Sequence, residues 1–316
     1  MPSLKARARA FLRSAAEEAL GTHIRQLSEG GKEAINTARI LSILNESREL
    51  PHLRDYGFRT FSQFGEDGVI QRLISRVPDL DQRFVEIGVE DYSESNTRLL
   101  AEKDNWRGLI IDSGDEARGF LQRTGLGMMR SVDFCQSYVT AENVNDVLRG
   151  QPDDLGLLSI DIDGMDYWIW RAIETVRPAI VAIEYQSNFG PTEAIVVPYQ
   201  PDFSHSRAHH SHLFWGASLA AMESLGSEKG YALVGTSDGP NAFFVREDRL
   251  GPLRRVTAEA CYYETRYRES RDADGQPTYL TEMADRRREI ADCEVLDLHT
   301  GERRKIGSYA SLVPTP

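Results

Sequence analysis

Four short apolar runs, each closing on a carboxylate, restrict this chain more than any other feature. They are residues 84–87 with Glu86, 108–112 ending in Asp112, 157–160 running into Asp161 and Asp163, and 179–185 with Glu184. Runs this short and this rich in Val, Ile and Leu read as strands buried on both faces, hence as parallel strands covered by helices. Helical patterns lie between them, at 97–101, 143–148 and 165–176, the last stopping before Pro178. A weaker run at 128–134 supplies one more strand, ending at Asp133 and Phe134. A helix at 217–225 then leads to strands 231–235 and 242–246, joined by a turn at 238–241. So short a connection makes these last two antiparallel neighbours. The expected fold is α/β: a Rossmann-like, doubly wound, seven-stranded and mostly parallel sheet with one antiparallel strand. Ligands of such sheets sit beyond the carboxyl ends of the strands. Glu86, Asp112, Asp161, Asp163 and Glu184 all fall there, which predicts one shared site.

The turn after the first strand narrows the ligand. Gly88 breaks the run, and Ser93 or Ser95 is placed to cap the helix that follows. A dinucleotide fingerprint needs G-x-G-x-x-G, whereas Gly88 is followed by Val89, Glu90 and Asp91. Carboxylates at this turn repel a pyrophosphate and suit a cationic or hydroxyl-rich ligand. Asp112 follows Gly88 by two dozen residues, near the ~20-residue interval at which nucleotide-binding folds set an acid on ribose hydroxyls. Asp133 and Phe134 offer an acid and a ring for a purine edge and face. Upstream, the stretch 61–77 reads as a helix with Ser62 as its cap. Its polar group Ser62, Gln63, Glu66 and Asp67 is denser than a capping box needs, so it is expected to border the site.

Charge and composition remove other classes. A net charge of −12 is a poor footprint for a nucleic-acid partner. No apolar run approaches the ~18 residues of a membrane span, and the basic start lacks the apolar core of a secretory signal. Three scattered cysteines, with no CxxC pair, fit a reducing, cytoplasmic setting. The expected organisation is a helical arm over 1–58, a main domain over 59–250 and a C-terminal extension over 251–316. The arm either packs on its own domain or makes a homo-oligomer contact. Its basic cluster at 5–13 runs into Glu17 and Glu18, which argues against a membrane-surface helix. Within the main domain, residues 186–215 lack periodicity but are rich in aromatics, and they read as an ordered lid carrying HSRAHHSH. The extension shows a helical pattern at 282–290 and a hairpin turning at Thr300–Gly301, with no chemistry of its own.

The stretches SQFGED (62–67), FVEIGVE (84–90), WRGLIID ending at Asp112, SIDIDG (159–164) and AIEY (182–185) resemble class I S-adenosylmethionine-dependent methyltransferases. The likeness covers roughly residues 60–246 and is closest to the FkbM-type and related saccharide O-methyltransferases. Such enzymes carry further glycines where this chain has Glu90 and Tyr92. The resemblance implies a cofactor set of Gln63, Glu86, Gly88, Asn96, Asp112, Ser113, Asp133, Phe134 and Asp161. Glu86 and Gly88 would then lie by the methionine part, Asp112 at the ribose, Asp133 and Phe134 near the adenine, and Asp161 at the transfer position. Asp161, Asp163 and Glu184 are expected to hold Mg2+, a hard ion that prefers oxygen ligands. His205 or His212 is the candidate base, against the plainer reading of a solvated loop. A transition metal on the histidines is an alternative. Two further rivals are a metal-dependent hydroxylase- or hydrolase-like enzyme on the same fold, and a non-catalytic scaffold. The expected acceptor is a small molecule or saccharide.

Overall fold

The computed structural model describes residues 31–265 and 269–313. The basic cluster at 5–13 lies outside the described residues. A seven-stranded sheet forms the centre: β1 (Arg83–Ile87), β2 (Arg107–Asp112), β3 (Val132–Gln136), β4 (Leu157–Ile160), β5 (Ile180–Glu184), β7 (Tyr231–Thr236) and β8 (Asn241–Arg246). Its order is β3-β2-β1-β4-β5-β8-β7. β8 runs antiparallel to both β5 and β7, and the other neighbours are parallel. This is the Rossmann-like α/β sheet with one antiparallel strand that the sequence led us to expect.

Two-residue alternation puts a core on each face. Val85, Ile87, Leu158, Ile160, Val181 and Ile183 pack into one. Phe84, Leu157, Ile180 and Ala182 pack into the other. Glu86, Ser159 and Glu184 alternate with the first group along their strands, so their side chains share the second face, at its carboxyl end. The chain reverses its direction of travel across the sheet between β1 and β4, and the crevice at that point holds the site.

Several elements differ from the sequence reading. The helix expected over 61–77 is Glu66–Ile74, and Ser62 is not its cap. Residues 128–130 are not strand; they end a short helix, Leu126–Arg130, bounded by left-handed Gly125 and Ser131. Met128 and Met129 are 88% and 65% exposed, so their apolarity did not signal burial. The helix expected over 165–176 is shorter, Asp166–Ala172.

The segment 186–215, expected to be a lid, is tied to the C-terminal residues by strand pairing. Its strand β6 (Ile195–Val196) pairs antiparallel with β9 (Glu294–Asp297), which forms the expected hairpin with β10 (Arg303–Lys305). A third apolar core joins Phe189, Ile195, Val197 and Phe214 to Ile290, Val295, Ile306 and Leu312. Each such side chain, when fully buried, contributes about 1.5–3 kcal/mol relative to exposure. Residues 31–46 are helical. Ala38 of this helix is buried against Phe61 and Leu99, whereas Ile40, Ile43 and Leu44 are exposed. Among the described residues no helix is long and apolar enough to cross a membrane.

Candidate active site

The backbone after β1 turns sharply because three residues in succession of alternate position take left-handed angles. Gly88 has φ 83°, Glu90 47° and Tyr92 65°. A Cβ on Gly88 would lie 1.6 Å from the Asp161 carbonyl oxygen, so only glycine lets this turn pass against the end of β4. Glu90 and Tyr92 occupy the backbone region that the missing glycines would favour, at a cost of order 1–3 kcal/mol each. Tyr92 is held there by complete burial, a 3.1 Å hydrogen bond between its hydroxyl and Thr97 Oγ1, and an edge contact with Phe120.

Two acids brace this turn. Glu86 accepts from Asn96 N at 2.8 Å, from Thr97 N at 3.2 Å and from Thr97 Oγ1. Burial pushes its pKa up to about 7, against the pull of these donors. Asp112 accepts from Val89 N and Glu90 N through one oxygen and from Gly114 N through the other, each at 2.9 Å. Further out, Glu66 accepts from Phe64 N and Ser237 Oγ. Asp67 gathers Thr60 N, Phe61 N, Ser62 N and Ser62 Oγ onto one oxygen. Ser62 and Asp67 are thus a loop brace rather than site groups.

The acids at the ends of β4 and β5 stand differently. Asp161, Asp163 and Glu184 each offer an oxygen within 4.8 Å of the others. Burial raises the Asp161 and Glu184 pKa values well above the usual range, and neighbouring carboxylates raise them further. Glu184 Oε2 is buried with no partner. Asp166 holds the loop that carries the trio, accepting from Ile162 N at 2.9 Å and Gly164 N at 3.0 Å. Phe203 of the lid lies so close to Gly164 that a Cβ there would be 2.3 Å from its ring. Three hard oxygen donors with one oxygen unpartnered fit a divalent cation of the Mg2+ kind.

One cavity of about 580 Å3 unites these groups. Gln63, Glu86, Gly88, Asn96, Asp112, Ser113, Asp161, Asp163, Glu184, His205 and His212 all line it. Asp133 and Phe134 do not: Asp133 sits mid-strand opposite Leu109, and the Phe134 ring lies under Arg118. The loop after β3, Ser137 to Thr140, lines the cavity in their place, because ligand contacts come from beyond a strand rather than from within it. The lid is fastened to that loop. Tyr199 donates to Glu142 at 2.6 Å and accepts from Ala141 N at 3.1 Å, and Tyr138 donates to the Phe203 carbonyl at 3.3 Å.

The histidine run divides. His205 and His212 face the cavity with ring centroids 5.5 Å apart. Burial, with help from His205 and Arg271, lowers the His212 pKa. His209 bonds Ser211, and His210 bonds Glu289. Among the described residues no histidine joins a metal-sized cluster of donors, so the transition-metal alternative loses its ligand set. The sequence reading missed Thr265, Glu269 and Arg286, which reach the cavity from the extension. Only Arg286 carried a signal: with buried Met283 and Ile290 it marks an inward helical stripe.

No protein-family model matches this chain, and no curated protein does. Solved structures with a similar sheet include an O-methyltransferase family protein from Burkholderia thailandensis, at 14% identity and TM-score 0.35 over 61% of this chain and 58% of that one. The pyocyanin biosynthetic protein PhzM aligns at 14% identity and TM-score 0.34, over 56% of this chain and 53% of its own. TomG from Streptomyces achromogenes, an O-methyltransferase of tomaymycin synthesis solved with SAM, aligns at 17% identity and TM-score 0.29, over 51% and 70%. The chain spans little more than half the length of the first two.

Proposed function

We propose that this chain is an S-adenosylmethionine-dependent O-methyltransferase, acting with a divalent ion, Mg2+, on a hydroxyl of a sugar or a glycosylated natural product. The observation that carries this is the single cavity at the switch point. It joins a phosphate-averse acidic turn at Gly88 to the Asp161–Asp163–Glu184 trio. A sulfonium cofactor has no phosphates, so the acids at Glu86, Glu90 and Asp112 suit it. Glu86 shapes the turn that would receive the methionine part, Asp112 and Ser113 would hold the ribose, and Ser137 to Thr140 would border the adenine. When bound, the cofactor would supply an electrophilic methyl group and the metal would acidify a coordinated hydroxyl. Asp161, Asp163 and Glu184 would hold the ion, and residues 186–215 would position the acceptor and exclude water. His205 or His212 would take the proton that the acceptor hydroxyl gives up on methylation. The lowered pKa of His212 keeps it neutral and ready to accept. The exposed Ile40, Ile43 and Leu44 stripe is the candidate homo-oligomer contact, testable by light scattering of Ile43→Glu.

Calorimetric titration of S-adenosylhomocysteine into metal-stripped protein, repeated with Mg2+, tests this reading. We expect micromolar binding that Asp112→Asn weakens. Metal binding without any binding of S-adenosylhomocysteine would favour the hydroxylase- or hydrolase-like alternative.

A further inference from the structure

The wall built by β4, β5 and β8 has a chemistry the rest of the cavity lacks. Glu184 and Asn241 are paired across β5 and β8, and directly opposed residues of an antiparallel pair point to the same face. Asn188 follows on the short 3-10 turn Ser187–Phe189 just beyond β5. All three line the cavity, and all three are more than nine-tenths buried. Glu184 Oε2, Asn188 Oδ1 and Asn241 Oδ1 are buried acceptors without a partner. An orphaned buried acceptor is costly, so three on one wall mark a place completed by a ligand that brings donors. Asp161 and Asp163 stand beside them. Among the described residues lining the cavity, Arg286 is the one Lys or Arg, and its guanidinium is already spent on the Leu280, Thr265 and Thr281 carbonyls.

We propose that the acceptor carries a protonated amine, as an amino sugar or aminocyclitol does, and that this amine docks on the Glu184–Asn188–Asn241 wall, a reading that rests on the methyl-transfer function above. An ammonium presents three donors and no acceptor, which matches the three unpartnered acceptors of this wall. A neutral hydroxyl would satisfy one of these oxygens while adding an acceptor of its own. A phosphate or carboxylate would leave all three oxygens without a donor. The charge agrees as well. The carboxyl groups of Asp161 and Asp163 stand beside this wall, and that of Glu66 lies 3.5 Å from Asn241 Nδ2.

The test uses the full chain saturated with S-adenosylhomocysteine and Mg2+, with calorimetry as the readout. The probes are kanamycin, a polyhydroxylated polyamine, its fully N-acetylated form, and glucose 6-phosphate. We expect kanamycin to bind at least tenfold tighter than its acetylated form and the sugar phosphate not to bind. Asn188→Leu should abolish this tenfold preference while leaving affinity for S-adenosylhomocysteine unchanged. Equal binding of the two kanamycin forms, preference for the phosphate, or no binding of the amine to a protein that does bind S-adenosylhomocysteine would each overturn the proposal. The comparison of probes on the unaltered chain stands even if the variant does not fold. Failure to bind S-adenosylhomocysteine at all is a different result and counts against the methyltransferase reading itself.

Discussion

The acids at the ends of β1 and β2 and those at the ends of β4 and β5 occupy equivalent places in the sheet but do opposite work. Glu86 and Asp112 each accept several donors of the chain itself, most of them backbone N–H groups. They hold the turn that shapes one half of the cavity. Asp161, Asp163 and Glu184 face one another, and one of their oxygens has no partner. The first pair has a structural task of its own, and the second set does not. Position at a strand end therefore marks a site without telling a brace from a binding group; the difference lies in where the neighbouring N–H groups point.

Substitutions should separate the two kinds of acid sharply. Glu86→Ala leaves two backbone N–H groups, of Asn96 and Thr97, buried without an acceptor. At about 1–3 kcal/mol each, we expect a loss of about 2–6 kcal/mol, measured by urea unfolding. A loss below 1 kcal/mol would erase the distinction. Glu184→Gln should act in the other direction on the fold. It removes a buried acid whose ionised form is opposed by burial and by Asp161, so metal-free protein should gain stability at neutral pH. Its Mg2+ affinity should fall about 100-fold or more, since losing even an outer-shell partner costs 10–100-fold. Destabilisation with unchanged metal binding would make Glu184 another brace.

The same contrast has a pH signature. Burial raises the Glu86 pKa from 4.5 to about 7 in the folded state, so between these values the folded chain binds more protons than the unfolded one. Its contribution is full below about pH 4.5, falls as pH rises through about 7, and is level above, a change of about 2–4 kcal/mol. Glu86→Gln should remove that part of the slope in thermal midpoints taken from pH 4.5 to 8. The smallest effect belongs to Glu90→Gly. It relieves a left-handed backbone and a carboxyl that burial and nearby Asp163, Asp91 and Asp112 disfavour ionising. We expect a gain of about 1 kcal/mol in the same unfolding assay.

The central sheet was legible in the sequence because strands buried on both faces must be largely apolar, as 157–160 and 180–183 are. The strand near 128–134 was misplaced because Met128 and Met129, apolar in type, project into solvent. The trio at Asp161, Asp163 and Glu184 was legible for a topological reason: strand ends converge whatever the loops do. Asp133 and Phe134 lie within β3 rather than beyond it and do not line the cavity. Thr265 and Glu269 were invisible. They have no periodicity, and they meet the cavity only because distant strands β6 and β9 pair.

That pairing has an evolutionary reading. The lid and the extension share a strand ladder and an apolar core of their own, while the turn at Gly88 and its braces belong to the central sheet. Residues of the 186–215 segment and of the C-terminal region can therefore drift, lengthen or be exchanged together without touching the sheet beneath. The record of such change would be written at 186–215 and 251–316 together rather than in either alone.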